Sequence, residues 1–171
     1  MKQRIFIAIH YLEIGGAERS LLGLLNALDV ALYDIDLFIY SHQGEFMRMI
    51  PKKIRLLPEI PQYAALERPL KEIVKNGHWK IAFARLRAKW LCWRYMKRSK
   101  QTEGSAIFQY VADYMIGLLP SLYRYGVYDL AISFLSPHNI VLEKVQAKKK
   151  IAWIHTDYSA IQVDKERELK V

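Results

Sequence analysis

The chain reads as an α/β protein built on an open parallel sheet, and three observations predict it. Short continuous apolar runs rich in β-branched residues suit strands buried on both faces. Amphipathic helical stretches separate them, the alternation of a parallel sheet with right-handed crossovers. The length, 171 residues, suits one domain with a real core.

Ile5-Phe6-Ile7-Ala8-Ile9 is the first such run, and it ends in a loop carrying Gly15-Gly16. Leu21, Leu22, Leu25 and Leu28 then form one stripe of a helix. Asp36 to Tyr40 reads as a second strand, and Ile54 to Pro58 as a shorter third after a short helix. Residues 69–124 look helical, with breaks expected at Gly77 and at 101–105. Strand character returns at 129–135 and at 150–155. Between them, 139–146 suits a short helix followed by a basic turn, Lys148-Lys149-Lys150. The charged stretch 164–170 reads as a final helix. An open sheet that stops so soon after its last strand is expected to be part of something longer.

The chain carries 26 Lys+Arg against 17 Asp+Glu, and the excess is local. Nine basic residues lie between Lys75 and Lys100, and no acid occurs between Glu72 and Glu103. The remaining seventeen basic residues balance the seventeen acids. The single Cys92 excludes a disulfide-stapled fold and fits a reducing cytosol. It also excludes a multi-cysteine zinc site, and the five histidines lack ligand spacing, so no metal is expected. The apolar run after the basic N-terminus is shorter than a secretory core of roughly 7–15 residues, and nothing approaches the roughly 18 apolar residues of a membrane span.

Ligands of an open α/β sheet sit outside the carboxyl ends of the strands, where strand order reverses. The loops 11–16, 136–139 and 155–158 should meet there. Gly15 and Gly16, directly before a helix, let backbone approach an anion closely, and free N–H groups with the helix dipole favour phosphate. A tight turn that needs positive φ and binds nothing reads equally well. Glu18 complements the helix dipole, and Arg19 faces a ligand anion or simply water. His155 can donate to a phosphate or hydroxyl or shuttle a proton; a turn histidine bonded to backbone is the competing reading. His138 and Asn139 are weaker candidates. Asp157 orients His155, accepts from a hydroxyl, or caps the next helix. Neither G-x-G-x-x-G nor G-x-x-x-x-G-K-[ST] is present, so neither a dinucleotide site nor a nucleotide triphosphatase is supported.

Ile14-Gly15-Gly16-Ala17-Glu18-Arg19, followed by a leucine-rich helix, resembles the G-G-A-E-R loop of family 4 glycosyltransferases, which have the two-domain GT-B fold. Segments 33–37, 128–133 and 151–157 resemble their later strands in the usual order; segment 61–124 resembles nothing in the family. The resemblance implies the N-terminal, acceptor-binding, Rossmann-like domain of a retaining, metal-independent transferase. It implies a nucleotide-sugar co-substrate with no other cofactor, a saccharide or lipid-linked acceptor, and a role in polysaccharide or glycolipid synthesis. By the same analogy Gly15-Gly16 contact the donor diphosphate and His155 lies near donor and acceptor. The family's nucleotide-sugar contacts and paired glutamates belong to a C-terminal domain unmatched here, so this chain alone is expected to be inactive. A sugar-nucleotide epimerase of the same architecture and a non-catalytic membrane-surface module are the alternatives.

On a helical wheel Trp79, Phe83, Leu86, Trp90 and Trp93 form one stripe, with Arg87, Arg94 and Arg98 on one flank and Arg85 and Lys89 towards the other. Aromatic stripes usually pack on a core, and that is the first expectation. The second is an interfacial helix at the inner face of a membrane, where each cation near an anionic surface adds about 1 kcal/mol. It implies a cytoplasmic, peripheral protein. Nucleic acid is not expected, because no reading module accompanies the patch.

Overall fold

The structure, a computed structural model, describes residues 2–100, 106–155, 157 and 164. The expected break at 101–105 and the expected helix at 164–170, apart from Asp164 itself, lie outside those residues. Five strands, β1 (Gln3–Ile9), β2 (Tyr33–Ile39), β3 (Arg55–Leu56), β4 (Val127–Ser133) and β5 (Gln146–Ala152), form one sheet of order β3-β2-β1-β4-β5 with every pairing parallel. The fold is Rossmann-like, and strand order reverses between β1 and β4.

Alternation along β1 divides the core between the two faces of the sheet. Ile5, Ile7 and Ile9 lie in register with Ile35, Leu37 and Ile39 and pack on Leu21 and Leu25 of α1 (Gly16–Ala27). Phe6, Ala8, Phe38 and Tyr40 face the other helices. These are α2 (Pro61–Ala64), α3 (Leu70–Lys75), α4 (Trp79–Ser99), α5 (Ala106–Met115) and α6 (Asn139–Lys144). The expected break at Gly77 is real: its φ of +79° ends α3 before α4 begins. Short 3₁₀ turns at Glu45–Met49, Ile116–Leu118 and Tyr123–Tyr125 fill the remaining connections.

Two expectations from the pattern need correction. The lysines 148–150 are strand, not turn, and β5 begins at Gln146, four residues before the expected start at 150. β5 is an edge strand and mostly exposed, so lysines there blunt pairing with other chains. The aromatic stripe of α4 is not core either. Trp79, Phe83, Leu86, Trp90 and Trp93 are 51–67% exposed, whereas Ala84, Ala88 and Cys92 face inward. The small residues allow close approach to α5, where Ala88 and Cys92 pack on Ala106 and Tyr110. Arg85 also turns inward and donates to the carbonyls of Ala65 (2.8 Å) and Arg68 (2.5 Å). Its burial pulls the guanidinium below its ordinary pKa.

The amino ends of the strands are tied by one buried carboxylate. Asp36 on β2, 3% exposed, accepts from Arg55 Nε of β3 at 2.5 Å, from Arg55 Nη2, and from the Tyr128 hydroxyl of β4 at 2.6 Å. Arg4 of β1 brings Nη2 to 3.8 Å, donates to the carbonyls of Tyr125 and Val127, and lies over the Tyr128 ring. Burial and the neighbouring carboxylate push the Tyr128 phenol well above its ordinary pKa, which keeps it a donor. Asp36→Ala leaves these donors partly buried and unanswered, and should cost about 3 kcal/mol of unfolding free energy. Asp34→Ala, which removes only the exposed partner of Lys2, should cost no more than about 1 kcal/mol. Urea unfolding of both variants checks the contrast; equal losses would remove the node's special status.

Candidate functional site

The carboxyl ends of β1, β2 and β4 are joined by backbone bonds that continue beyond the strands. Tyr40 N donates to Ile9 O (3.0 Å), Ser41 N to His10 O (2.9 Å), and Phe134 N to Ala8 O (2.9 Å). The loop after β1 is held from the β2 side as well. Leu12 N donates to Gln43 O and Phe46 N to Leu12 O. Gly44 makes this possible: its φ is +107°, and a Cβ there would lie 2.1 Å from Leu12 O.

The paired glycines are placed differently from a strained turn. Gly15 is extended at φ −155° and caps α1, Gly16 is its first helical residue, and neither has positive φ. A Cβ on Gly16 would meet nothing within 4 Å. A Cβ on Gly15 would collide with the Glu18 carboxylate at 2.1 Å, because the buried Glu18 folds back over the cap. The expectation of a turn that needs positive φ is therefore overturned, and nothing in the fold itself demands glycine at 16.

Beyond the carboxyl end of β5, Trp153 N donates to Ser133 O, carrying the chain on to His155. The exposed His155 ring lies 4.4 Å from the ring of fully buried Phe134 and stacks parallel to Trp153 at 6.0 Å. Asp157 is exposed, as is Arg19. His138 is the residue before α6, buried, with Nδ1 2.9 Å from Ser133 Oγ. It lines an open pocket of about 380 Å³ with Ser133, Ala152 and Lys150. Burial lowers the pKa of Lys150, whose amine donates to Leu142 O. Asn139 is buried too and turns its amide towards Asp113 at 3.5 Å, while its Oδ1 has no hydrogen-bond partner. A larger hollow, about 950 Å³, opens among Lys2, Arg4, Asp34, Asp36 and Arg55 at the opposite edge. Its charges already pair with one another, which makes it a by-product of the Asp36 node.

The pattern missed one pair altogether. His10, 8% exposed and directly after β1, has Nδ1 2.6 Å from Glu67 Oε1, and its ring lies 5.0 Å from that of Tyr40. Among the described residues, His10 Nε2, His42 Nε2 and Ser41 Oγ are buried polar atoms without a hydrogen-bond partner. Fixing one ring nitrogen by a carboxylate leaves the other oriented for a further partner. Tyr11 beside it is pushed to higher pKa by burial and then by Glu67, Glu18 and Glu13, so three carboxylates surround this loop. Such a lining suits hydroxyl groups, which donate to carboxylates, better than bare anions. His10 was legible by the same rule that selects His155, one residue before the loop considered. Glu67 was not, being 57 residues away in sequence. Among the described residues no three His, Cys, Asp or Glu side chains converge as a metal site requires.

Gly44→Ala should cost about 2 kcal/mol through backbone strain and should shift the amide resonances of residues 10–13. Gly16→Ala should leave stability unchanged or raise it by up to about 1 kcal/mol, because alanine is the better helix former. Urea unfolding with amide spectra measures both. No family model, no curated protein and no solved structure matches the chain, so the chemistry of this edge rests on its own residues.

Proposed function

We propose that the chain is the acceptor-binding domain of a retaining glycosyltransferase that moves a sugar from a nucleotide-sugar to a hydroxyl acceptor. The observation that carries the reading is the reversal of strand order between β1 and β4, where ligands of open α/β sheets bind. The glycine loop follows β1, and His155 follows β5 and rests on Phe134, whose backbone is bonded to Ala8 of β1. The resemblance of 14–19 to the G-G-A-E-R loop supplies the reaction class.

The chemistry divides along the crevice. The open backbone at Gly16 and the first N–H groups of α1 favour the donor diphosphate, whose charge grows as the bond to the sugar breaks. A phosphate reaching Gly15 displaces the Glu18 carboxylate from that place. His155, exposed on an apolar ring, donates to a sugar hydroxyl or a leaving-group oxygen. The exposed carboxylate of Glu13, near Tyr11, accepts from acceptor hydroxyls. Alignment and electrostatic stabilisation of the leaving group carry the rate.

In the full-length enzyme His155→Ala should lower turnover by roughly a hundredfold or more. Its melting temperature should stay close to that of the parent, because the ring is exposed. Near-normal turnover would remove His155 from the mechanism. Release of free hexosamine without an acceptor would replace the transferase by an epimerase.

A further inference from the structure

The outer face of α4 is the largest feature that the crevice leaves unexplained. The helix has 21 residues and spans about 31 Å at roughly 1.5 Å per residue. Its inner line is fully used: Ile81, Ala82 and Ala84 join the core against the sheet, and Ala88 and Cys92 pack on α5. The outer line carries the five large apolar side chains, all more than half exposed. Cations stand among them. Arg94 lies over Trp90 at 4.7 Å, Lys97 over Trp93 at 4.1 Å, and Lys80 near Trp79 at 5.6 Å. Arg87 and Lys89 are exposed as well. No acid interrupts the chain between Glu72 and Glu103.

We propose that this face of α4 docks the protein on an anionic lipid bilayer, with the helix lying in the interface plane. A helix whose outer line is exposed from Trp79 to Trp93 can meet a plane along that line. Aromatic rings seat at headgroup depth, where their flat apolar bodies and polar edges are both satisfied. The flanking guanidinium and ammonium groups then meet lipid phosphates and retain their aqueous contacts. Among the described residues no helix is long and apolar enough to cross a membrane, so this is attachment along a surface.

Charge complementarity selects this occupant over two others. A second copy meeting this face symmetrically would oppose like charges along the whole helix without a carboxylate to neutralise them. Single-stranded nucleic acid binds in grooves that track the strand and splay its bases, whereas these rings stand on a convex ridge. The proposal does not depend on the transferase reading, since attachment is measured without any sugar transfer.

Three of the four tryptophans lie on this face and report on it directly. The intact protein should sediment with vesicles of phosphatidylcholine containing one-third phosphatidylglycerol. Binding to pure phosphatidylcholine should be at least about tenfold weaker, and salt should release the protein. Tryptophan emission should shift to the blue on binding. Trp90→Ser with Trp93→Ser, and separately Arg94→Glu with Lys97→Glu, should each lower vesicle affinity about tenfold or more. All four side chains point outward, so the far-UV circular dichroism should be unchanged. Three outcomes overturn the proposal. One is equal binding to both vesicle types or to neither. Another is tighter binding to oligouridylate than to anionic vesicles. The third is a stable dimer in solution that the Trp90/Trp93 variant converts to monomer.

Discussion

The sheet depends on a carboxylate that water scarcely reaches. Asp36 accepts from side chains on β3 and β4 and lies beside an arginine of β1, so four strands converge on one group of oxygens. Burying such a charge is costly unless every oxygen is answered. A one-residue slip of β2 would turn Asp36 to the other face and strand it among isoleucines. The hydrophobic faces favour the observed register, and the buried charge penalises its neighbours. The node lies at the amino ends of the strands, which leaves the carboxyl ends free to be shaped by loops.

Those loops are shaped by backbone more than by side chains. Gly44 lets the chain after β2 pass close to Leu12, and the bonds from Gln43 and Phe46 hold the loop after β1 in place. The side chains above this frame are unequal in kind. On one side is a buried histidine fixed by Glu67, among carboxylates. On the other is an exposed histidine resting on an aromatic ring. Neither residue of the glycine pair uses the conformations that only glycine reaches.

The α4 helix shows that the more apolar face of a helix is not always the buried one. Its rings outweigh its alanines in apolar area, and an isolated reading of the pattern sends them inward. Packing decided otherwise. Ala88 and Cys92 pack on Ala106 and Tyr110 of α5, and small side chains there let the two helices approach where tryptophans would hold them apart.

Local chemistry was legible from the residues in order. Apolar runs marked β1, β2 and β4, leucine spacing marked α1, and Gly77 marked the break before α4, because each signal is confined to a few neighbouring positions. The parallel sense of the strands followed from their alternation with helices, but their order did not. The same reading puts the glycine loop and His155 just past strands, and in the fold they follow β1 and β5. It did not find the start of β5, whose lysines look like a turn until they are seen on an exposed sheet edge. Nor could it find His10–Glu67 or the partners of Asp36. Those contacts join residues 19 to 92 positions apart, and register, crossover and packing decide which of many possible partners meet. Local pattern set most of the elements and their parallel sense. Tertiary structure alone decided which charges meet, and which face of α4 is left to the solvent.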